Sequence, residues 1–288
     1  MELASNSAES PKLQVEDAAQ YIGDRITPGA QIGIIAGTGL GVIADVIQTS
    51  VELPYHSIPN FPKSEVTSHE GVLVAGTLNG VDVICLKGRA HLYEGHSPND
   101  VVLPVRTLAL LGIKTLIITN AAGGINRDFR RGDVMSIDDQ INLQFVNPLV
   151  GRNIDEWGPR FPDMSDLYAR DLREVAQAVA SSAGVQLHSG VYASILGPNL
   201  ETKAEYTMLG RIGVDAIGMS TTLEAIAAHH MGVRVAGFSI ITDECFPETL
   251  VPVVIADVLQ AAATGGPKLS AIVEGMVKQL GKQETVTH

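Results

Sequence analysis

Residues 88–95 read Gly-Arg-Ala-His-Leu-Tyr-Glu-Gly, directly after the apolar run 81–86. If the chain stays extended past residue 86, alternate side chains share one face. Arg89, His91 and Tyr93 then point the same way. That face offers a fixed cation, a titratable nitrogen donor and a ring bearing a hydroxyl. Such a set suits an oxyanion held beside a flat or sugar-like group.

Other segments carry polar groups at expected strand ends, where open α/β sheets collect ligands. Gly-Thr-Gly-Leu-Gly at 37–41 follows the apolar run 31–36. A turn of this kind exposes backbone N–H groups and the Thr38 hydroxyl to a phosphate. Val42 stands where a dinucleotide fingerprint wants Gly, and no Gly-Lys-Ser/Thr is present, so a plain tight turn stays open. Asn-Ala-Ala-Gly-Gly at 120–124 follows a second buried run. Its small residues admit close approach to the backbone, by a ligand or by a packed helix.

Gly218, Met219, Ser220 and Thr221 lie between a short strand and a helix, so Ser220 or Thr221 also fits a plain N-cap. Glu201 opens a helix after Gly197-Pro198, where an acid commonly serves only the helix dipole. Asp243 follows the strand expected at 233–241, and His69 lies in a loop before the strand at 72–78. His229 and His230 are adjacent and point apart, and His91 and His96 have no Cys or acidic cluster at ligand spacing. No metal site is expected.

These residues need a scaffold of alternating strands and helices. Strands are expected at 31–36, 51–54, 72–78, 81–86, 115–119, 134–137, 190–196, 215–218 and 233–241. Helices are expected at 15–26, 98–111, 165–184 (begun by Ser165 or Asp166), 201–213, 221–232 and 253–280. Asn79-Gly80 between two apolar runs signals a hairpin. The segment 142–162 has no steady period and reads as a long functional loop. The expected fold is α/β, one domain with a central mixed, largely parallel sheet surrounded by helices. Residues 1–12 read as a disordered N-terminus, 13–280 as the domain and 281–288 as a flexible tail.

The chain has 288 residues, 45% of them hydrophobic, and a formal net charge of −12. That charge disfavours nucleic-acid binding, which depends on basic patches. An anionic small substrate stays compatible, because a few local donors dominate a cleft. Two cysteines, Cys85 and Cys245, form no disulfide framework, and a reducing compartment is the default. No secretory signal is recognised, and no apolar run approaches the roughly 20 residues needed to span a bilayer. A cytoplasmic protein is expected.

Taken together, the segments at 37–41, 68–69, 88–95, 120–124, 197–202, 218–221 and 242–243 resemble the trimeric, low-molecular-weight class of purine nucleoside phosphorylases, in the same order along the chain. The resemblance implies the nucleoside phosphorylase fold and a reaction in which phosphate attacks C1′ of a purine nucleoside, giving free base and ribose 1-phosphate. It implies a phosphate site from Thr38, His69, Arg89, His91, the Ala121 N–H and Ser220. Tyr93, Gly218 and Met219 would line the nucleoside, Glu201 would read the purine edge, and Asp243 would meet N7; His91, Glu201 and Asp243 would be catalytic. Inorganic phosphate would be the co-substrate, with no cofactor. The resemblance further implies a homotrimer in which an aromatic residue closes the neighbouring ribose pocket, and Trp157 is assigned that place.

Three departures bear on substrate choice. The family's usual Asn is Asp243 here, its base-pocket aromatic is Leu200, and its His near the start of the C-terminal helix has no counterpart in 252–257. An Asp at the N7 position and an apolar wall near the 5′ position resemble the methylthioadenosine phosphorylases. Purine nucleoside phosphorolysis is the leading expectation and 5′-methylthioadenosine or adenosine phosphorolysis the alternative. A nucleoside hydrolase or a noncatalytic nucleotide-binding protein stands behind both.

Overall fold

The computed structural model describes residues 10–37, 39–63 and 71–285. Helix α1 (Pro11–Gly23) begins where the Ser10 side chain caps it, with Pro in the first turn, where no N–H is missed. It therefore starts inside the stretch read as disordered and ends short of residue 26. The chain continues through β1 (Ile32–Ala36), α2 (Val42–Asp45), β2 (Gln48–Pro54), β3 (Val72–Leu78), β4 (Val81–Lys87) and α3 (Pro98–Leu110). Next come β5 (Thr115–Gly124), β6 (Val134–Asn142), α4 (Arg170–Ser182), β7 (Leu187–Ser194) and α5 (Lys203–Arg211). The last elements are β8 (Ala216–Gly218), α6 (Thr222–His230), β9 (Arg234–Glu244) and α7 (Ile255–Thr285), the last running past residue 281.

The sheet order is β2-β3-β4-β1-β5-β8-β7-β6-β9, with a further β5–β9 pairing. That pairing closes β5, β8, β7, β6 and β9 into a ring, which leaves those strands without a free edge. The sheet is mixed: β1 runs parallel to β4 and β5, while β3 runs antiparallel to β2 and β4. β1 is buried along its whole length, as the unbroken apolar run requires. Asn79 and Gly80 take positive φ, 53° and 79°, and turn the β3–β4 hairpin.

Helices cover both faces of the sheet. α1, α3 and α6 pack together, while α7 packs on β9, α4 and α2. Leu103, Leu108, Leu116 and Ile118 belong to one buried cluster; Ile34, Phe238, Leu269 and Val273 belong to the other. Among the described residues no helix is long and apolar enough to cross a membrane.

Three boundaries differ from expectation in ways that matter to the site. β5 runs on through residues 120–124, because Asn120 to Gly124 pair with β9 and Gly123 and Gly124 also pair with β8. β9 likewise reaches Glu244, so Thr242 and Asp243 lie within a strand instead of after one. α4 starts at Arg170, not near 165, because Tyr168 is drawn into a β-bridge with Val235.

Candidate active site

The strand that delivers Arg89 ends early. Gly88 adopts φ +94°, a left-handed turn that a side chain resists, and residues 92–94 form a single 3₁₀ turn. The alternation expected past residue 86 therefore fails. Arg89 and His91 come together through a tight turn instead of along one strand face.

Arg89 is 5% exposed and directed inward. Its Nη1 donates to Glu224 Oε2 at 2.7 Å and to Thr221 Oγ1 at 3.3 Å, and its Nη2 donates to the Thr119 carbonyl. The guanidinium is thus fixed between the end of β4, the middle of β5 and the first turn of α6. A rigid, charged fork at a junction of strand ends is the geometry that recognises an oxyanion.

His91 is held from one side. Glu94 Oε1 accepts from the His91 backbone N–H at 2.8 Å and lies 3.0 Å from its Nδ1. Burial pulls the His91 pKa down to about 4, helped by the nearby Arg89 charge and opposed by Glu94. The His91 and Tyr93 rings stack with centroids 4.7 Å apart. Burial, with Glu94 beside it, pushes the Tyr93 phenol up to about 12, which keeps it a neutral hydroxyl donor.

Thr221 is the N-cap of α6, at φ +71°, an uncommon conformation for a β-branched residue. Its N–H donates to Glu224 Oε2 at 3.0 Å, and its Oγ1 accepts from Asn120 Nδ2 at 2.9 Å. Ser220 Oγ lies 3.2 Å from Thr221 Oγ1. Gln144 ties this turn to its surroundings, donating to the Ile195 and Met219 carbonyls at 3.3 Å each and accepting from the Thr222 hydroxyl. His91, Met219, Ser220 and Glu224 line one cavity. Ala121, half-buried, follows Asn120 in β5 beside this group.

A second cluster forms farther along β5. Gly123 is in register with Asp243 of β9, and a Cβ on Gly123 would lie 2.6 Å from Cys245 Sγ. Glycine there lets the two strands approach. Burial raises the Asp243 pKa, opposed by a hydrogen bond from the Thr242 hydroxyl at 3.0 Å. Burial also raises Glu201, which Tyr206 opposes. The Cys245 thiol is pushed up to about 12 by burial, and Asp243 and Glu201 both add to that shift. Glu201 and Asp243 therefore both lie near Cys245. Thr202, not Glu201, caps α5, which leaves Glu201 outside the helix and turned to this cluster. Leu200 is 51% exposed beside it, and Met219 packs against the turn at Gly197.

The two clusters stand on one strand. Asn120 marks the first and Gly123 the second, three residues apart, which is about 10 Å at strand rise. An Arg-centred polar cluster and an acidic cluster thus share one strand.

Some expected site residues do not join them. Thr38 and His69 lie outside the described residues. Trp157 is only 6% exposed and packs in its own core, with the Arg106 guanidinium 4.8 Å above its ring. Glu224, Thr221, Glu94 and Gln144 were not singled out as functional from sequence. A signal existed for one: Thr221 and Glu224 are spaced as a capping box.

A family model described as "Phosphorylase superfamily" matches residues 31–278. The chain is 47% identical over 232 residues to "Purine nucleoside phosphorylase 1" of Bacillus subtilis, spanning 81% of this chain and 86% of that protein. It is 44% identical over 234 residues to the purine nucleoside phosphorylase of Bos taurus, spanning 80% and 81%. A crystal structure of Schistosoma mansoni purine nucleoside phosphorylase in complex with adenosine matches with a TM-score of 0.87 at 39% identity, covering 92% of this chain and 96% of that one. Agreement of this depth, in sequence and in fold, places the chain in the phosphorylase superfamily as a member of its purine nucleoside phosphorylase family.

Proposed function

We propose that β5 divides the reaction between its two clusters, with phosphate at the Arg89 end and the purine at the Asp243 end. The enzyme is a pentosyltransferase that carries out phosphorolysis of purine nucleosides, as its family does. Phosphate oxygen attacks C1′, the bond from C1′ to N9 breaks, and its electron pair leaves with the base. The products are the free purine and pentose 1-phosphate. Phosphate is already an anionic nucleophile, so the site needs orientation and charge stabilisation more than a strong base.

Arg89, His91, the Ala121 N–H and Ser220, with Thr38 and His69, hold the phosphate. Tyr93, Gly218 and Met219 line the sugar, and Leu200 and Glu201 bind the base. Asp243 faces N7 as the base leaves, in a setting where burial raises its pKa. The observation that carries this reading is the buried Arg89 fork bound at Thr119 of β5, four residues before Gly123, which pairs with Asp243.

Phosphate is the only co-substrate in this reading, and no cofactor takes part. The working unit is a homotrimer in the cytoplasm. Trp157 is the ring offered to the neighbouring site; it is 6% exposed in the single chain and lines an open cleft with Arg106, Asn153 and His230. A second reading, phosphorolysis of methylthioadenosine or adenosine, draws on Asp243 and on Val254 and Ile255, which leave apolar surface open at the start of α7.

The test supplies inosine, guanosine, adenosine and methylthioadenosine with and without phosphate. Phosphate-dependent release of base from inosine or guanosine, with ribose 1-phosphate formed, supports the first reading. Turnover confined to the two adenine nucleosides supports the second. Turnover without phosphate is hydrolysis and overturns both, as does an inactive protein that still binds nucleosides.

A further inference from the structure

Thr221 Oγ1 stands at the centre of a directed set of hydrogen bonds. A threonine hydroxyl has one proton to donate and two lone pairs to accept with. Here Asn120 Nδ2 donates to Oγ1 at 2.9 Å and Arg89 Nη1 donates at 3.3 Å. Both lone pairs are occupied, and the residue is 1% exposed. The proton then has one near acceptor, Ser220 Oγ at 3.2 Å. The reverse arrangement, with Ser220 donating to Thr221, crowds three donors on one buried oxygen and leaves the Thr221 proton unsatisfied, which is costly in a low-dielectric interior.

The direction of that bond decides what Ser220 can do. Having accepted from Thr221, Ser220 keeps its own proton for an acceptor on the side where His91 and Met219 lie beside it. An anion oxygen is such an acceptor, and a hydroxyl polarised through two charged or amide donors is a stronger donor to it. The turn is held for this purpose at φ +71°, with the Thr221 N–H fixed on Glu224 Oε2 at 3.0 Å. Glu224 takes the same oxygen to Arg89, so one carboxylate aligns both the guanidinium and the hydroxyl pair.

We propose that Thr221 is a positioning residue whose hydroxyl sets Ser220 as a hydrogen-bond donor to the attacking phosphate. This rests on the assignment of Arg89 and Ser220 to the phosphate site. The experiment compares Thr221→Val, Thr221→Ser and Ser220→Ala for KM of phosphate and KM of nucleoside. Thr221→Val keeps the shape and removes the hydroxyl. Its phosphate KM rises roughly tenfold, about 1.4 kcal/mol, while its nucleoside KM stays within about twofold. Thr221→Ser restores the wild-type phosphate KM. An unchanged phosphate KM in Thr221→Val, or equal rises in both constants, overturns the proposal when Ser220→Ala does raise the phosphate KM. An unchanged phosphate KM in Ser220→Ala instead overturns the phosphate-site assignment beneath it. If Thr221→Val does not fold, neutron diffraction of the wild-type enzyme with phosphate decides the matter. A deuteron on Thr221 directed at Ser220 supports the proposal, and one on Ser220 directed at Thr221 overturns it.

Discussion

Arg89 Nη1 and Glu224 Oε2 lie 2.7 Å apart, with side chains only 5% and 3% exposed. A buried pair of this kind is costly to break from one side, because the remaining charge is left unmatched. Glu224→Leu should therefore lower unfolding free energy by about 3–5 kcal/mol, read from denaturant titration. The double variant Arg89→Met with Glu224→Leu should recover most of that loss while remaining inactive. A double variant as unstable as the single one would show that the pair's charge is not the source of the cost.

His91 predicts how stability responds to acid. Its pKa falls from 6.5 to about 4 on folding, chiefly through burial. Between those values the unfolded chain binds the proton and the folded chain does not. His91 therefore draws stability down as pH drops through this window, by about 1.36 kcal/mol for each pKa unit of the shift and on the order of 3 kcal/mol in all. His91→Gln should flatten the fall in Tm between pH 6.5 and 4 relative to wild type. Parallel Tm curves would mean that the imidazole is not held neutral.

Asp243 decides base preference in the proposed site. An ionised Asp accepts from a 6-amino group and repels a 6-oxo group, whereas Asn donates to the 6-oxo group. Asp243→Asn should raise kcat/KM for inosine relative to adenosine, by roughly tenfold for one exchanged polar contact. An unchanged ratio would remove position 243 from the specificity determinants.

The loop that holds Trp157 tests the proposed assembly. Phe145, Val150 and Phe161, in one loop, are 88%, 77% and 88% exposed, an apolar content that marks an interaction surface. Trp157→Leu should raise the nucleoside KM and leave the phosphate KM within about twofold of wild type, with a trimer still seen by sedimentation. A wild-type chain that sediments as a monomer with full activity would refute the shared pocket.

Much of the scaffold was legible from periodicity and turn chemistry. The Asn79-Gly80 hairpin, the buried β1 and the small residues of β5 all follow from local pattern. Arg89, His91 and Ser220 were legible as chemistry, but their route together was not, because Gly88 turns the chain where alternation was expected. Glu224 was hidden by its type and place: an acid three residues into a helix reads as a cap, and only the tertiary fold brings Arg89 against it. Trp157 was legible as the lone Trp of the long loop, but its setting was not, because Arg106, from a distant helix, covers its ring. Asp243 moved into a strand because its pairing with Gly123 depends on a register shift, with Thr242 the extra residue in β9, that no local pattern encodes.

The most direct test of the phosphate end of β5 is calorimetric titration of wild type and Arg89→Lys with inorganic phosphate, and separately with a purine nucleoside. Lysine keeps a positive charge for Glu224 but loses the planar fork that grips an oxyanion. Phosphate affinity should fall at least roughly tenfold in Arg89→Lys, on the order of 2 kcal/mol, with nucleoside affinity held within about twofold. Equal losses for both ligands, or none for phosphate, would contradict the placement of the attacking phosphate at Arg89.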